Sequence, residues 1–95
     1  MNYRKGDLPS KGLPDSWQEK RDDNNTLLQR RYYGADGHAQ LNVDYGHDHV
    51  GAGDPHAHDW NWALRPPRQP PRSLTSEERQ LQYNLNQEVD DNGKR

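Results

Sequence analysis

A chain of 95 residues in which 27% are hydrophobic can form at most one small domain with a thin core. Its formal net charge is only -2, so self-repulsion is weak, and three Trp and five Tyr supply large side chains to bury. The absence of Cys excludes disulfides, thiolate catalysis and Cys-ligated zinc, and no apolar run is long enough to cross a bilayer. Histidines and carboxylates must therefore carry any metal or acid-base chemistry.

The N-terminal part of the chain predicts an extended entry segment over residues 1–26. Gly6, Pro9, Gly12 and Pro14 interrupt it, and it has no helical or strand periodicity over a useful length.

A β-hairpin is predicted next. Residues 27–33 have strand character and lead to the Asp36-Gly37 step, which favours a hairpin turn because glycine accepts a positive φ. The return strand, residues 38–45, alternates apolar and polar side chains, so one of its faces should be buried and the other solvated.

A glycine-rich loop separates this hairpin from a third predicted strand, residues 56–64. Trp60 and Trp62 on that strand are interpreted as core anchors because the chain has few other large apolar residues. A base-stacking platform is the alternative for these two rings.

The C-terminal part predicts a Pro-rich tether and then a helix. Pro fixes φ and cannot donate to a sheet, so the run that follows the third strand favours a polyproline-type spacer. Thr75 and Glu78 have the spacing of a capping box that begins a helix. Leu81, Leu85 and Val89 form the narrow apolar stripe with which that helix would dock.

These elements predict an α+β fold: a small three-stranded antiparallel sheet with a C-terminal helix and an extended N-terminal segment. The predicted segments are the entry segment (residues 1–26), a β-rich core that holds a histidine cluster (27–64), the tether (65–74) and the helix (75–90).

Histidines and aspartates are concentrated between residues 44 and 59, where four of the five histidines lie. This stretch covers a strand end, a glycine-rich loop and a strand start, from which side chains can converge on one place. Three interpretations are open.

The first interpretation is a metal site. His47 and His49 form one His-x-His pair, and His56 and His58 form another, whose rings point the same way if they lie in a strand. With a nearby aspartate these rings could chelate Zn or another divalent transition metal.

The second interpretation is metal-free acid-base catalysis, which needs no cofactor. His58 would be the general base and His56 or His47 the acid, while Asp44 orients an imidazole. A cation close by, from Arg30, Arg31, Arg65 or Arg68, would hold the phosphate charge in the transition state. The expected substrate-binding residues are Arg30, Arg31 and Tyr45.

The third interpretation is that these histidines are solvated loop residues without chemistry. The protein would then be a non-catalytic interaction protein derived from a phage or a toxin.

Four segments also carry a resemblance to a known family. The matched stretches are residues 7–16, 28–39, 43–47 and 55–60, and the most specific are the Gln-Arg-Arg-Tyr-Tyr entry to the Asp-Gly turn and the Pro-His-x-His-Asp-Trp run. Their order resembles that of the C-terminal toxin modules of bacterial polymorphic toxin systems. The family carries an acidic residue where this chain has Asn42, which leaves Asp44 as the matched acid.

The resemblance implies a small α+β toxin domain that acts as a nuclease and is neutralised by a dedicated immunity protein. The function that we expect is therefore metal-independent cleavage of RNA by the histidine pair, with RNA and a cognate immunity protein as partners and no membrane-spanning segment. Its site of synthesis or action would be the bacterial cytoplasm, with secretion only as part of a larger delivery protein.

Overall fold

The structure, a computed structural model, describes residues 3–4, 7–46 and 51–93, with side chains described at 7–46 and 51–87. In this part of the chain the strands form one sheet in sequence order, and a helix follows them. The elements are β1 (Tyr3–Arg4), β2 (Trp17–Arg21), β3 (Leu27–Tyr33), β4 (Ala39–Asp44), β5 (His56–Trp60), β6 (Arg68–Ser73) and α1 (Ser76–Gly93).

Five antiparallel strands, β2 to β6, make up most of the sheet, and the two-residue β1 adds in parallel to β2. The α+β class, the antiparallel sheet and the C-terminal helix are confirmed. The predicted three strands are too few because β1 and β2 lie within the predicted entry segment and β6 within the predicted tether. No described helix is long and apolar enough to cross a membrane.

The longer of the missed strands, β2 and β6, are polar or Pro-rich, so a search for apolar alternation does not find them. β6 carries Pro70 and Pro71 and pairs only with β5 among the described strands. An edge strand tolerates proline because the side that faces away from the sheet needs no N–H donor. The predicted spacer is therefore largely an edge strand that pairs with the histidine-bearing β5.

The predicted hairpin between β3 and β4 is confirmed. The Gly37 N–H donates to the Gly34 carbonyl at 2.9 Å, and Gly37 has a φ of 81°, which a side chain would strain. The register places Gln29 opposite Asp44 and Arg31 opposite Asn42.

One face of the sheet packs against α1, and we call it the helix face. Val43, Ala57 and Leu74 form its small buried apolar cluster. Beside them Arg30 and Glu19 are both fully buried and form an ion pair, with 2.7 Å between Arg30 Nη2 and Glu19 Oε2. The Arg30–Glu19 ion pair thus occupies a part of the helix face that apolar side chains fill in most protein cores.

The helix docks through polar contacts. The buried Gln82 accepts hydrogen bonds from Arg30 Nη1 and from the Tyr45 hydroxyl, and it donates to the Tyr32 hydroxyl at 2.7 Å. Leu81, by contrast, is 47% exposed, so the predicted docking stripe is wrong at this residue. Gln82 faces the sheet because Arg30 needs a buried acceptor that a leucine cannot provide.

The predicted start of the helix is confirmed. The Thr75 N–H donates to Glu78 Oε1 at 2.9 Å, and the Glu78 N–H donates to Thr75 Oγ1 at 3.1 Å, which completes a capping box. Arg72 at the end of β6 also donates to both Glu78 carboxylate oxygens. The helix is thereby attached at its first turn to the edge strand.

Candidate functional site

The face of the sheet opposite α1 carries the histidines of β5, and we call it the histidine face. In the antiparallel register Asp44 lies opposite His56, and Asn42 lies opposite His58. Directly opposed residues share a face, and so do residues two apart on one strand, so all four side chains lie on the same side. Two adjacent strands thus bring distant parts of the chain together.

Asp44, His56 and His58 form a compact buried cluster, which we call the Asp-His cluster. Asp44 Oδ2 lies 3.6 Å from His56 Nε2 and 3.4 Å from His58 Nε2. One potential ligand atom from each residue lies within 4.8 Å of the others. Asp44 Oδ1 accepts a hydrogen bond from Gln29 Nε2 at 2.9 Å, which fixes the carboxylate on its outer side.

The orientation of the His58 ring is set from the edge strand. His58 Nδ1 lies 2.8 Å from the Gln69 carbonyl, which can only accept, so Nδ1 carries the proton. Burial lowers the pKa of His58, although the Gln69 contact acts in the opposite direction. The neutral ring therefore directs the lone pair of Nε2 toward the Asp44 carboxylate, an arrangement that a cation between the two atoms would stabilise.

Arg68 adds a positive charge at the edge of the cluster. Its Nη2 lies 3.3 Å from Asp44 Oδ2, and its side chain is 43% exposed. Arg68 and His58 line an open groove formed with the turn between β5 and β6, and Arg65 lies on the same groove. The groove thus connects the buried cluster to solvent along a positively charged wall.

The other predicted site residues are placed as follows. His47 and His49 lie outside the described residues. Arg30 and Tyr45 lie on the helix face, where their polar groups bond to Gln82, so the sheet separates them from the histidines.

Arg31 lies on the histidine face but is 7% exposed. Its Nε donates to Asn42 Oδ1 at 2.7 Å and its Nη1 to the Leu8 carbonyl at 2.7 Å. Burial lowers its pKa. In this arrangement the guanidinium attaches the N-terminal segment to the sheet.

Trp60 and Trp62 form a stack on the histidine face. Their ring centroids lie 5.5 Å apart at an interplanar angle of 22°. Trp60 is half-buried, but Trp62 is 41% exposed, so the prediction that both are core anchors is wrong for Trp62. Trp62 lies in the turn after β5, beyond the point where the strand packs against its neighbours.

Two contributors to the cluster were not predicted: Gln29 and the Gln69 carbonyl. Gln29 could have been predicted, because the hairpin turn and the alternation on β4 fix which β3 residue opposes Asp44. The Gln69 carbonyl could not, because it comes from β6, whose proline content argues against a strand. Arg68 was one of the four arginines named as a possible cation, but its place on a strand beside Asp44 was not predicted.

Comparisons of the chain with protein families, curated proteins and solved structures give no match. The resemblance to toxin modules therefore stays a prediction.

Proposed function

We propose that the protein is a bacterial toxin-type ribonuclease whose reaction centre is the Asp-His cluster with Arg68, and that the cluster holds a divalent transition-metal ion. The observation that carries this proposal is the convergence of one carboxylate oxygen and two imidazole Nε2 atoms beside a groove lined by arginine.

The distances from the carboxylate to the two rings favour a metal ion. With bonds of about 2.0–2.1 Å to a tetrahedral ion, ligand atoms are separated by about 3.4 Å. The distances from Asp44 Oδ2 to His58 Nε2 and His56 Nε2 are 3.4 and 3.6 Å, and the three ligand atoms lie within 4.8 Å of one another. Gln29 and the Gln69 carbonyl supply the hydrogen bonds that orient Asp44 and His58 as ligands.

Burial favours this arrangement over the metal-free mechanism expected from the sequence. A general acid and a general base must each reach an oxygen of the substrate. His56 is fully buried and His58 is only 3% exposed, so their rings offer little surface to RNA. Asp44, His56 and His58 would hold a divalent ion, and that ion would supply Lewis-acid stabilisation of the phosphate charge.

The groove supports an anionic substrate. Arg68 lies between Asp44 and solvent, and Arg65 lies on the same wall. Arginine forks hold phosphate oxygens in two parallel hydrogen bonds, so these two residues are suited to position a phosphodiester beside the cluster. A cognate immunity protein and action in the bacterial cytoplasm belong to the same proposal.

The proposal is tested by cleavage of labelled RNA with the full chain. Chelator-treated protein should be inactive, and activity should return when Zn²⁺ or Mn²⁺ is added. His58→Ala should abolish cleavage, whereas Tyr83→Ala, at an exposed position on the helix away from the cluster, should not. Arg68→Gln should lower the rate by about 100- to 1000-fold, the range for loss of one charge-stabilising donor.

The outcomes separate the alternatives. Cleavage that persists with chelator and disappears in His58→Ala would support the metal-free mechanism. Equal cleavage by wild type and His58→Ala, or none under any metal condition, would contradict the assigned centre.

A further inference from the structure

The exposed tryptophan of the histidine face has no role in holding a metal ion or in forming the core. We infer that Trp62, stacked on Trp60, binds a base of single-stranded RNA while Arg65 and Arg68 hold the adjoining phosphates. This inference rests on the proposed function, because it names the form of substrate that the same site takes.

The Trp62 ring is held in place before any ligand arrives. Its Nε1 donates to the Ala39 carbonyl at 2.8 Å, and the His38 ring meets it edge-on with centroids 4.8 Å apart. Nevertheless, 41% of the residue is exposed. A rigid, exposed aromatic ring loses little conformational entropy when it binds a planar ligand.

The stack continues into the sheet. Trp60 Nε1 donates to Asn42 Oδ1 at 3.2 Å, and the Arg31 guanidinium carbon lies 4.9 Å from the centroid of the Trp60 ring. Asn42 is the direct register partner of His58, one of the cluster histidines. The aromatic stack therefore adjoins the reaction centre on one continuous surface.

Positive charge lies next to the stack. Trp62 and Arg65 belong to the turn between β5 and β6, and Arg68, the first residue of β6, is the register partner of Trp60. Both arginines are exposed. A ligand that matches this surface combines flat rings with negative charges, which selects a nucleic acid over a neutral sugar or an apolar peptide.

The ligand must also be single-stranded. Base faces are covered by neighbouring bases inside a duplex, and only unpaired nucleotides can place a base against an aromatic side chain. A duplex would engage the arginines through its backbone but leave Trp62 without a stacking partner.

Binding is measured with a short fluorescein-labelled single-stranded RNA and chelator-treated full chain, so that no metal-dependent cleavage occurs. Trp62→Ala should weaken binding by about 5- to 100-fold, the range for loss of one base-aromatic stack. Trp62→Phe should retain most of the affinity because it keeps an aromatic face. Tyr83→Ala, which removes an exposed aromatic from the helix, is the matched control and should bind as wild type.

Arg65→Gln tests the phosphate contact separately. Loss of one contact to single-stranded RNA should reduce the slope of log affinity against log salt by about 0.7. Duplex RNA of the same sequence should bind more weakly than the single strand, and its affinity should be the same for wild type and Trp62→Ala. Thermal melting of each variant confirms that it is folded.

Unchanged single-strand affinity in folded Trp62→Ala would overturn the inference, as would equal sensitivity of duplex and single strand to this substitution. Failure of the proposed function is distinguishable. If RNA binds through Trp62 but is not cleaved with any metal, the inference on Trp62 is supported and the nuclease proposal is contradicted. If cleavage occurs but Trp62→Ala binds RNA as wild type does, the nuclease proposal is supported and the inference on Trp62 is contradicted.

Discussion

His58 Nε2 and Asp44 Oδ2 lie 3.4 Å apart, while the Gln69 carbonyl binds the other nitrogen of the same ring. A neutral imidazole in this position presents a lone pair to a carboxylate. The same Asp44 Oδ2 also lies 3.3 Å from Arg68 Nη2. A divalent ion bound by both groups would attract the lone pair and the carboxylate together, and this relationship is the physical reason for proposing a metal centre.

Gln29 should tune the affinity of the centre for a metal ion. Its Nε2 donates to Asp44 Oδ1 and fixes the carboxylate that faces the histidines. Gln29→Leu should weaken metal affinity by about 10- to 100-fold, the usual effect of removing a hydrogen bond that orients a metal ligand.

Competition with a fluorescent zinc chelator measures this change. Gln40→Leu, at an exposed position on β4, is the matched control and should leave the affinity unchanged. Equal affinities for wild type and Gln29→Leu would show that the Gln29 contact does not position the carboxylate.

The buried ion pair between Arg30 and Glu19 should dominate the stability of the helix face. Both side chains are fully buried, and Glu19 also pairs with the buried Arg21 at 2.7 Å, so removal of Arg30 leaves two buried carboxylate oxygens with one cation. Arg30→Met should lower the free energy of unfolding by about 3–5 kcal/mol. Replacing both residues, in Glu19→Leu with Arg30→Met, should recover only part of this loss because Arg21 then keeps its charge without Glu19.

Urea denaturation at neutral pH measures these stabilities. Lys20→Met, which breaks an exposed ion pair to Asp7, is the control and should shift the midpoint little. The assignment fails if Arg30→Met unfolds at the same urea concentration as Lys20→Met.

Glu78 should make stability depend on acid pH. Its hydrogen bonds to Arg72 and the Thr75 backbone lower its pKa from 4.5 to about 2. Since the folded-state pKa is depressed, the contribution is fully present above pH 4.5 and is lost as pH falls toward 2. Glu78→Gln should cost about 1–2 kcal/mol at pH 6, a value discounted for partial exposure.

The difference in stability between wild type and Glu78→Gln should shrink between pH 4.5 and 2. Urea titrations across this range measure the effect, and Glu77→Gln at the neighbouring exposed position serves as the control. A constant difference throughout would mean that the carboxylate does not carry the interaction.

Local sequence signals predicted the hairpin and the helix start well. The Asp36-Gly37 step and the alternation on β4 located two adjacent strands, and the Thr75 and Glu78 spacing located the capping box. Each of these features depends on backbone geometry within a few residues, which the local sequence determines.

Tertiary pairing determined what the sequence did not predict. Glu19 of the charged strand β2 is buried because it pairs with Arg30 across the sheet. Gln82, rather than the predicted Leu81, contacts the sheet because it accepts a hydrogen bond from the same Arg30. The Asp-His cluster was partly predictable, since the period of a strand places His56 and His58 on one face. The positions of Arg68 and the Gln69 carbonyl beside the cluster were not, because a Pro-rich strand pairs only at the edge of a sheet that already exists.

The most direct test of the metal centre is calorimetric titration of chelator-treated protein with Zn²⁺, together with elemental analysis of the product. Wild type and His38→Ala should each bind a single ion, and His58→Ala should lose more than about 100-fold in affinity. Absence of binding by wild type, or binding of equal strength by His58→Ala, would contradict the assignment of Asp44, His56 and His58 as metal ligands.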